Sequence, residues 1–278
     1  MTYWLNGKPA SEIAIDDRGL LYGDGFFSTI KVIDNKVERW PLHLDRISHS
    51  ADILDFPAID IDQLQHEIRD FIAAQEDSDG IIRLTISRGS NSIGVRGYQT
   101  PEQPNIRRIL SWSKLPSFKQ LSQGVQLSIS QMPISINKAL AGVKHLNRLD
   151  QVLAQKDIVK GCFDTLMLAD DVVICGSKTN VYFHVNGHWL TPKLNKAGVN
   201  GTVRRWLLAT QDNVYPSKFG LEILKRADYC LVSNALIGII PVTSIITHGK
   251  KPKEYRFEIY PQLSELQNAY SENALYRL

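Results

Sequence analysis

The apolar positions of the chain follow two different periods, which predict a mixture of helices and strands. Between residues 62 and 75 they recur with the spacing of one helix face, at Leu64, Ile68, Phe71 and Ile72. A second helix is predicted from about Pro41 to Leu54, because proline costs nothing in the first turn of a helix. Short apolar segments at 81–87 and 107–113 predict strands in the same half of the chain.

Three pairs of residues predict tight hairpin turns between strands. They are Asn6-Gly7, Asp34-Asn35 and Asn186-Gly187, whose residue types tolerate the positive φ of two-residue loops. The later part of the chain predicts strands at 124–130, 165–168, 172–174, 181–185, 188–191 and 229–233. It also predicts helices at 147–160, from about residue 200, and at 260–272.

Strands and helices alternate without a strict β-α order, which predicts an α+β protein and not a doubly wound sheet. The composition changes near Leu115-Pro116-Ser117-Phe118. We therefore predict two domains, 1–117 and 123–278, joined by a linker at about 114–122.

Two histidines close in sequence, His184 and His188, raise the question of a metal site. With Asn186-Gly187 as the hairpin loop, His184 pairs with Trp189 and Val185 pairs with His188. The two imidazoles then point to opposite faces of the hairpin, and we predict no metal site.

Charge and cysteine content narrow the classes of function. The net charge of +3 comes from scattered basic residues, which argues against a nucleic-acid or membrane partner. The three cysteines are widely spaced and lack a CxxC pair, which fits neither a disulfide framework nor a zinc site. The first residues lack the pattern of a signal peptide and no window is long and apolar enough to span a membrane, so we expect a cytoplasmic protein.

Lys144 alone does not indicate a function, because a lone lysine just before a helix is usually a solvated side chain. Other features of the sequence make it a candidate catalytic residue. Asn200-Gly201-Thr202 places a glycine at a helix start, where free backbone N–H groups favour a phosphate. Ser233-Asn234-Ala235 follows a predicted buried strand and offers a second such turn. Arg46, on the helix that begins at Pro41, is suited to clamping the same phosphate. A lysine, two phosphate turns and an arginine are what a pyridoxal-phosphate site requires.

Motifs along nearly the whole chain resemble the fold-type IV pyridoxal-phosphate enzymes, the branched-chain and D-amino-acid aminotransferase-like family. The matching segments are Asp17-Arg18-Gly19, Tyr22-Gly23-Asp24-Gly25-Phe26-Phe27, His43-Leu44-Asp45-Arg46, Ile86-Ser87-Arg88-Gly89, Arg96-Gly97-Tyr98, Lys144-His145-Leu146-Asn147-Arg148, Gly198-Val199-Asn200-Gly201, Asn234-Ala235-Leu236 and Pro241-Val242. The Lys144 segment is typical of the lyase branch of this family, whose members act on aminodeoxychorismate.

The resemblance implies a fold, a set of residue roles and an assembly. It implies a smaller N-terminal α/β sandwich domain, a larger C-terminal domain with a β-barrel-like core, and a homodimer with the cofactor in a cleft between the domains. Lys144 would bind the cofactor covalently and later act as general base. The residues implied to contact the cofactor are Arg46, Cys175, Asn180, Thr202, Val203, Asn234 and Ala235. Those implied to contact a substrate with two carboxylates are Thr29, Arg88, Arg96, Tyr98 and Arg148.

Cys175 departs from the family pattern, which has a glutamate five residues before the asparagine that corresponds to Asn180. That glutamate pairs with the pyridine nitrogen of the cofactor, and a neutral thiol is a weak hydrogen-bond partner that cannot replace its charge. An ordinary core position is the commoner fate of a buried cysteine.

Three functions follow from these observations. The first is a lyase that converts 4-amino-4-deoxychorismate to 4-aminobenzoate and pyruvate in folate biosynthesis. Because this reaction forms a benzene ring, it tolerates a weaker electron sink than transamination does, and Cys175 favours it. The second is an amino-acid aminotransferase of the branched-chain or D-amino-acid type. The third is a catalytically impaired homologue, which Cys175 supports and the retention of Lys144, Arg46 and both phosphate turns argues against.

Overall fold

The computed structural model describes residues 2–91, 97–249 and 251–278. The chain forms two compact units, and the first comprises Met1–Pro116, Val143–Asn147 and Ala274–Leu278. The second comprises Ser117–Gly142 and Arg148–Asn273. The predicted division into 1–117 and 123–278 stays a prediction; in the structure, two short segments from the later part of the sequence belong to the first unit.

The elements of each unit follow the chain. The first unit contains β1 (Thr2–Leu5), β2 (Lys8–Pro9), α1 (Arg18–Tyr22), β3 (Gly25–Ile33), β4 (Lys36–Glu38), α2 (Trp40–Ile53), α3 (Ile61–Ala73), β5 (Gly80–Ser87) and β6 (Arg107–Lys114). The second contains β7 (Val125–Ile129), α4 (Leu149–Lys156), β8 (Asp164–Ala169), β9 (Val172–Gly176), β10 (Asn180–Val185), β11 (His188–Pro192), α5 (Thr202–Thr210), β12 (Val214–Ser217), β13 (Tyr229–Asn234), β14 (Gly238–Ile246), β15 (Glu254–Arg256) and α6 (Leu263–Ser271). The last strand, β16 (Leu275–Tyr276), returns to the first unit.

The first unit is an antiparallel sheet with strand order β16-β4-β3-β5-β6-β1-β2. One face of the sheet packs against α2 and α3. The buried cluster on that face contains Phe26, Ile30, Ile47, Leu64, Ile68, Phe71, Ile82, Leu84 and Ile86. Because side chains alternate along a strand, Phe27 and Thr29 of β3 lie on the opposite face. This second face carries the chemistry described below.

The second unit is a mixed sheet with strand order β12-β11-β10-β13-β14-β7-β8-β9, and β15 pairs with β14. Strand β7 runs parallel to both β14 and β8, whereas β13 is antiparallel to β10 and to β14. The sheet curls around a buried apolar core that includes Leu127, Leu166, Val181, Phe183, Val232 and Val242. The α+β class and the barrel-like core of this unit are confirmed.

Most of the predicted elements are present, with corrections at their ends. The hairpin registers Leu5 to Lys8, Ile33 to Lys36 and Val185 to His188 are confirmed. The helix predicted at 147–160 is shorter and runs over Leu149–Lys156, and the helix predicted at 260–272 runs over Leu263–Ser271. Helix α1 was not predicted, because it has only five residues and no amphipathic stripe. In the parts of the chain that the structure describes, no helix has the length and apolar character needed to cross a membrane.

Candidate functional site

Lys144 lies on a short extended segment that pairs with the beginning of β3. The N–H of Phe27 donates to the Lys144 carbonyl at 2.9 Å, and the N–H of Leu146 donates to the Gly25 carbonyl at 2.9 Å. The Lys144 Nζ lies 4.4 Å from the centroid of the Phe27 ring. Backbone pairing therefore fixes where the lysine side chain begins, and the aromatic face fixes where its amine lies.

The face of the first unit's sheet that carries Phe27 also carries an arginine that the sequence did not single out. Arg83 of β5 pairs directly with Thr29 of β3. Its guanidinium lies 4.0 Å from the centroid of the Phe27 ring, so the guanidinium and the Lys144 amine share one aromatic neighbour. Partial desolvation lowers the Arg83 pKa, and no carboxylate among the described residues forms an ion pair with it. Thr29 thus lies beside an exposed guanidinium near the lysine.

Arg46 belongs to a buried polar cluster on the helix-covered face of the same sheet. Its Nη2 donates to Ser28 Oγ through a short contact and lies 3.0 Å from His43 Nδ1. Ser28 Oγ lies 2.8 Å from the same imidazole nitrogen. Desolvation, followed by the charge of Arg46, holds the pKa of His43 well below its ordinary value. A neutral histidine and a serine therefore fix one edge of the Arg46 guanidinium.

The predicted substrate residues of the first unit differ in how available their side chains are. Arg88 is buried, and its guanidinium donates to Asp24 Oδ2 at 2.8 Å and to the carbonyls of Leu54 and Asp55. The Arg88 guanidinium thus already donates three hydrogen bonds within the protein. Its role in binding a substrate stays a prediction. Tyr98 is 85% exposed, with its ring against that of Tyr22. Arg96 lies outside the described residues.

The beginning of α5, in the second unit, suits an anionic group. Gly201 is the N-cap and supplies no side-chain hydrogen bond to the first turn. The first backbone N–H groups of a helix lack intrahelical acceptors and carry the positive end of its dipole. Thr202 is 1% exposed, and its buried Oγ1 has no hydrogen-bond partner in the described structure. Val203, the next residue, is also buried. An anion with several oxygen acceptors would satisfy both the hydroxyl and the N–H groups.

Two buried side chains hold the loop that leads into α5. Asn180 Nδ2 donates to the Val199 carbonyl at 2.8 Å. Arg204 Nη1 donates to Asn200 Oδ1 at 2.7 Å, while its Nη2 donates to the Pro192 carbonyl at 2.9 Å. A Cβ at residue 201 would collide with Asn180 Oδ1, so the close approach of the loop to Asn180 requires glycine at this position. Asn180 therefore helps to fix the conformation of the loop that leads into α5.

The turn after β13 is organised by its own asparagine. Asn234 Oδ1 accepts hydrogen bonds from the N–H groups of Leu236 at 2.9 Å and Ile237 at 3.1 Å. The preceding residue, Ser233, is bonded to the hydroxyl of Tyr182 at 2.8 Å, and burial raises the pKa of that phenol. Ala235 lies half-buried at the tip. The side chain of Asn234 is thus used to form the turn, and a ligand would meet main chain here.

Cys175 and Arg148, predicted for different ligands, are neighbours in the second unit. Cys175 is 6% exposed and belongs to an apolar cluster with Met167 and Ala154. Desolvation lowers the Arg148 pKa to about 10, while the charges of Cys175 and Asp150 oppose that shift. A thiol in apolar surroundings beside a guanidinium fits a core position as well as a cofactor contact. Its role toward a pyridine nitrogen stays a prediction.

The chain is similar to known proteins along most of its length. The pattern of the family described as amino-transferase class IV matches residues 25–245. The chain is 32% identical over 258 residues to an aminodeoxychorismate lyase of Vibrio harveyi, over 87% of this chain and 91% of that relative. The crystal structure of 4-amino-4-deoxychorismate lyase from Pseudomonas aeruginosa aligns with a TM-score of 0.88 at 31% identity and covers 98% of both chains. A D-alanine aminotransferase of Staphylococcus epidermidis is 27% identical over 256 residues, 87% of this chain and 88% of that relative.

Proposed function

The chain belongs to the amino-transferase class IV family, and on that premise we propose that it is a pyridoxal-phosphate-dependent lyase. Its reaction would convert 4-amino-4-deoxychorismate to 4-aminobenzoate and pyruvate. The observation that carries this proposal is the likeness to two aminodeoxychorismate lyases, which is greater in identity than the likeness to the aminotransferase. Lys144, fixed against Phe27, supplies the amine that such an enzyme needs.

The residues present fit pyridoxal phosphate. The buried Thr202 hydroxyl, which has no partner among the described residues, and the uncapped start of α5 suit the phosphate group. The turn at Asn234 and Ala235 would offer main-chain contacts to the same group. Arg46 stays a further candidate for the phosphate from the family resemblance. When bound, this cofactor supplies an aldehyde for covalent attachment to an amine and a ring that withdraws electrons from the substrate.

Lys144 has two tasks in the proposed mechanism. Its neutral amine first acts as a nucleophile and later takes the proton from the amine-bearing carbon of the substrate. The bond between the neighbouring carbon and the enolpyruvyl oxygen then breaks, and its electron pair leaves with the oxygen. A proton returned to this leaving group yields pyruvate, and the six-membered ring that remains is aromatic.

Arg83, and Thr29 beside it, are suited to bind a carboxylate of the substrate. The guanidinium is exposed on the same sheet face as Phe27 and forms no ion pair among the described residues. Arginine and carboxylate form strong, oriented hydrogen bonds. Arg88, Arg96, Tyr98 and Arg148 remain further candidates from the family resemblance.

Cys175, proposed to lie toward the ring nitrogen, fits elimination better than transamination. A thiol donates only a weak hydrogen bond. A reaction that gains an aromatic ring needs less stabilisation of negative charge than one that does not.

The test is to incubate the purified protein with pyridoxal phosphate and aminodeoxychorismate and to measure both products. We expect pyruvate and 4-aminobenzoate to form in equal amounts. A parallel incubation with D-alanine and a keto acid tests the aminotransferase alternative, which the identity to the staphylococcal enzyme keeps in view. Transfer of the amino group without formation of 4-aminobenzoate would replace the lyase by the aminotransferase. Absence of both activities would favour the impaired homologue.

We also propose a cytoplasmic homodimer. Cys175 and Cys230 are buried and form no disulfide, as is usual for proteins of a reducing compartment. Light scattering in solution should give twice the chain mass of 31.4 kDa.

A further inference from the structure

A buried carboxylate lies behind both of the turns proposed to hold the phosphate. Asp164, the first residue of β8, has no exposed surface. No lysine or arginine of the described residues forms an ion pair with it. Burying a carboxylate without a cationic partner is costly unless hydrogen bonds compensate for the lost water. Hydrogen bonds must therefore stabilise the buried carboxylate of Asp164.

Five donors surround the Asp164 carboxylate, and four of them come from one turn. Oδ1 accepts from the N–H of Thr165 at 2.8 Å, from the N–H of Ser177 at 3.1 Å and from the Ser177 hydroxyl through a short contact. Oδ2 accepts from the N–H of Lys178 at 3.3 Å and from the Thr179 hydroxyl at 2.8 Å. The carboxylate thus fixes the turn Ser177–Thr179, which joins β9 to β10.

Close approach of this turn to the carboxylate requires a glycine. A Cβ at Gly176 would collide with Asp164 Oδ2 and with the Thr179 hydroxyl. The N–H of Gly176 donates to the Thr179 carbonyl at 2.8 Å, which closes the turn on itself. The turn therefore has one well-defined conformation, and its remaining polar groups point to defined places.

The turn and the residue that directly follows it contact both proposed phosphate turns. The Lys178 carbonyl accepts from Asn234 Nδ2 at 3.2 Å, and Asn234 forms the turn after β13. Asn180, which directly follows the turn, donates to the Val199 carbonyl in the loop that leads into α5. One carboxylate is therefore connected, through a single rigid turn, to both main-chain segments.

We propose that Asp164 is a positioning residue that sets the separation of the two main-chain segments for the cofactor phosphate. This inference rests on the proposed binding of pyridoxal phosphate, though not on the lyase reaction. The competing account is that Asp164 only stabilises the connection between β9 and β10. The two accounts differ in one respect: only a positioning role depends on the phosphate of the ligand.

The experiment compares pyridoxal phosphate with pyridoxal, which lacks the phosphate. Both are titrated into cofactor-free protein, and binding is followed by absorbance and by quenching of tryptophan fluorescence. In Asp164→Asn, the amide NH₂ must face at least one N–H or O–H donor, so the turn loses its fixed conformation. We expect the affinity for pyridoxal phosphate to fall about tenfold or more while the affinity for pyridoxal stays unchanged.

Two further variants keep the test decisive if Asp164→Asn does not fold. Thr179→Val removes one donor to the carboxylate at nearly constant volume and should give a smaller loss of the same kind, whereas Thr179→Ser should retain the wild-type preference. Glu67→Gln is the matched control, because Glu67 is buried but paired with Arg108 in the first unit. It should lower the melting temperature without changing the preference for the phosphorylated ligand.

Equal losses for the two ligands, or an unchanged preference in both Asp164→Asn and Thr179→Val, would overturn the positioning role. If the wild-type protein prefers pyridoxal phosphate but makes no 4-aminobenzoate, the proposed function fails and the role of Asp164 is still decided by the ligand comparison. If the wild-type protein does not distinguish the two ligands, the phosphate turns themselves are wrongly assigned.

Discussion

The surroundings of Lys144 and the surroundings of Thr202 are built in opposite ways. The amine of Lys144 and the guanidinium of Arg83 lie against one aromatic ring, that of Phe27. Thr202 begins a helix whose entry loop is held by hydrogen bonds from the buried side chains of Asn180 and Arg204, while its own hydroxyl has no partner among the described residues. The first region thus presents an amine and a guanidinium, and the second presents a hydroxyl and the backbone N–H groups of a helix start. Substitutions in the first should therefore change rates, and substitutions in the second should change ligand affinity.

The largest effect should come from Lys144→Ala. Removing the nucleophile and base should lower lyase turnover by about 10³-fold or more. Borohydride reduction followed by mass spectrometry should attach the cofactor to wild-type protein but not to the variant. Lys36→Ala, at an exposed lysine of the same unit, is the control and should behave as wild type. Normal turnover in Lys144→Ala would remove this lysine from the mechanism.

The next effect concerns Thr202 and should separate the affinity for the cofactor from the stability of the cofactor-free protein. In Thr202→Val, the affinity for pyridoxal phosphate should fall about tenfold, because one charge-assisted hydrogen bond is lost. Without cofactor, the melting temperature should not fall, because the substitution removes a buried hydroxyl that has no partner in the described structure. Thr202→Ser should bind the cofactor as wild type does. A lower melting temperature with unchanged affinity would mean that the hydroxyl is structural.

Arg83→Gln should give a smaller change, confined to the substrate. We expect KM for aminodeoxychorismate to rise about fivefold with kcat and cofactor affinity unchanged, as for a partly exposed ion pair worth about 1 kcal/mol. Arg69→Gln, at an exposed arginine on α3, controls for net charge. An unchanged KM in Arg83→Gln would contradict a role of Arg83 in binding the substrate.

A further effect, on stability alone, should appear as a pH dependence that comes from His43. Its pKa is lower in the folded than in the unfolded chain, so its contribution is fully present above pH 6.5 and is lost as pH falls toward the folded pKa. The free energy of unfolding should decrease by up to about 1.4 kcal/mol per pH unit in that range. Urea unfolding of His43→Gln at several pH values should show a shallower slope. An equal slope in both proteins would assign the acid sensitivity to other groups.

Sequence patterns were informative wherever neighbours in space are neighbours along the chain. The helical stripe at Leu64, Ile68 and Phe71 and the hairpin loop at Asn186-Gly187 are local signals, and the structure agrees with both. Helix α1 escaped prediction because its stability comes from the Asp17 cap and the left-handed Gly23, while Leu20 and Leu21 stay exposed.

The site was predicted less completely, because its supports are formed by residues distant in sequence. Arg46, Thr202 and Asn234 were predicted from local turn and helix-start signals and from family motifs. Nothing in the sequence linked Ser28 to His43, Arg83 to Phe27 or Asp164 to the turn after β9. A buried aspartate at a strand start looks like an ordinary turn residue until its five donors are known. The signal that could have been used is Gly176, which indicates close approach of another group.

The segment Val143–Asn147 has a consequence for how the protein is made. It belongs to the first unit, yet it is synthesised after the chain has already entered the second. A ribosome that has released residues 1–116 has therefore produced the Phe27 ring without the amine that lies against it. Lys144 takes its position late during biosynthesis. An N-terminal fragment that ends before residue 143 would lack the amine that we propose as the attachment point of the cofactor.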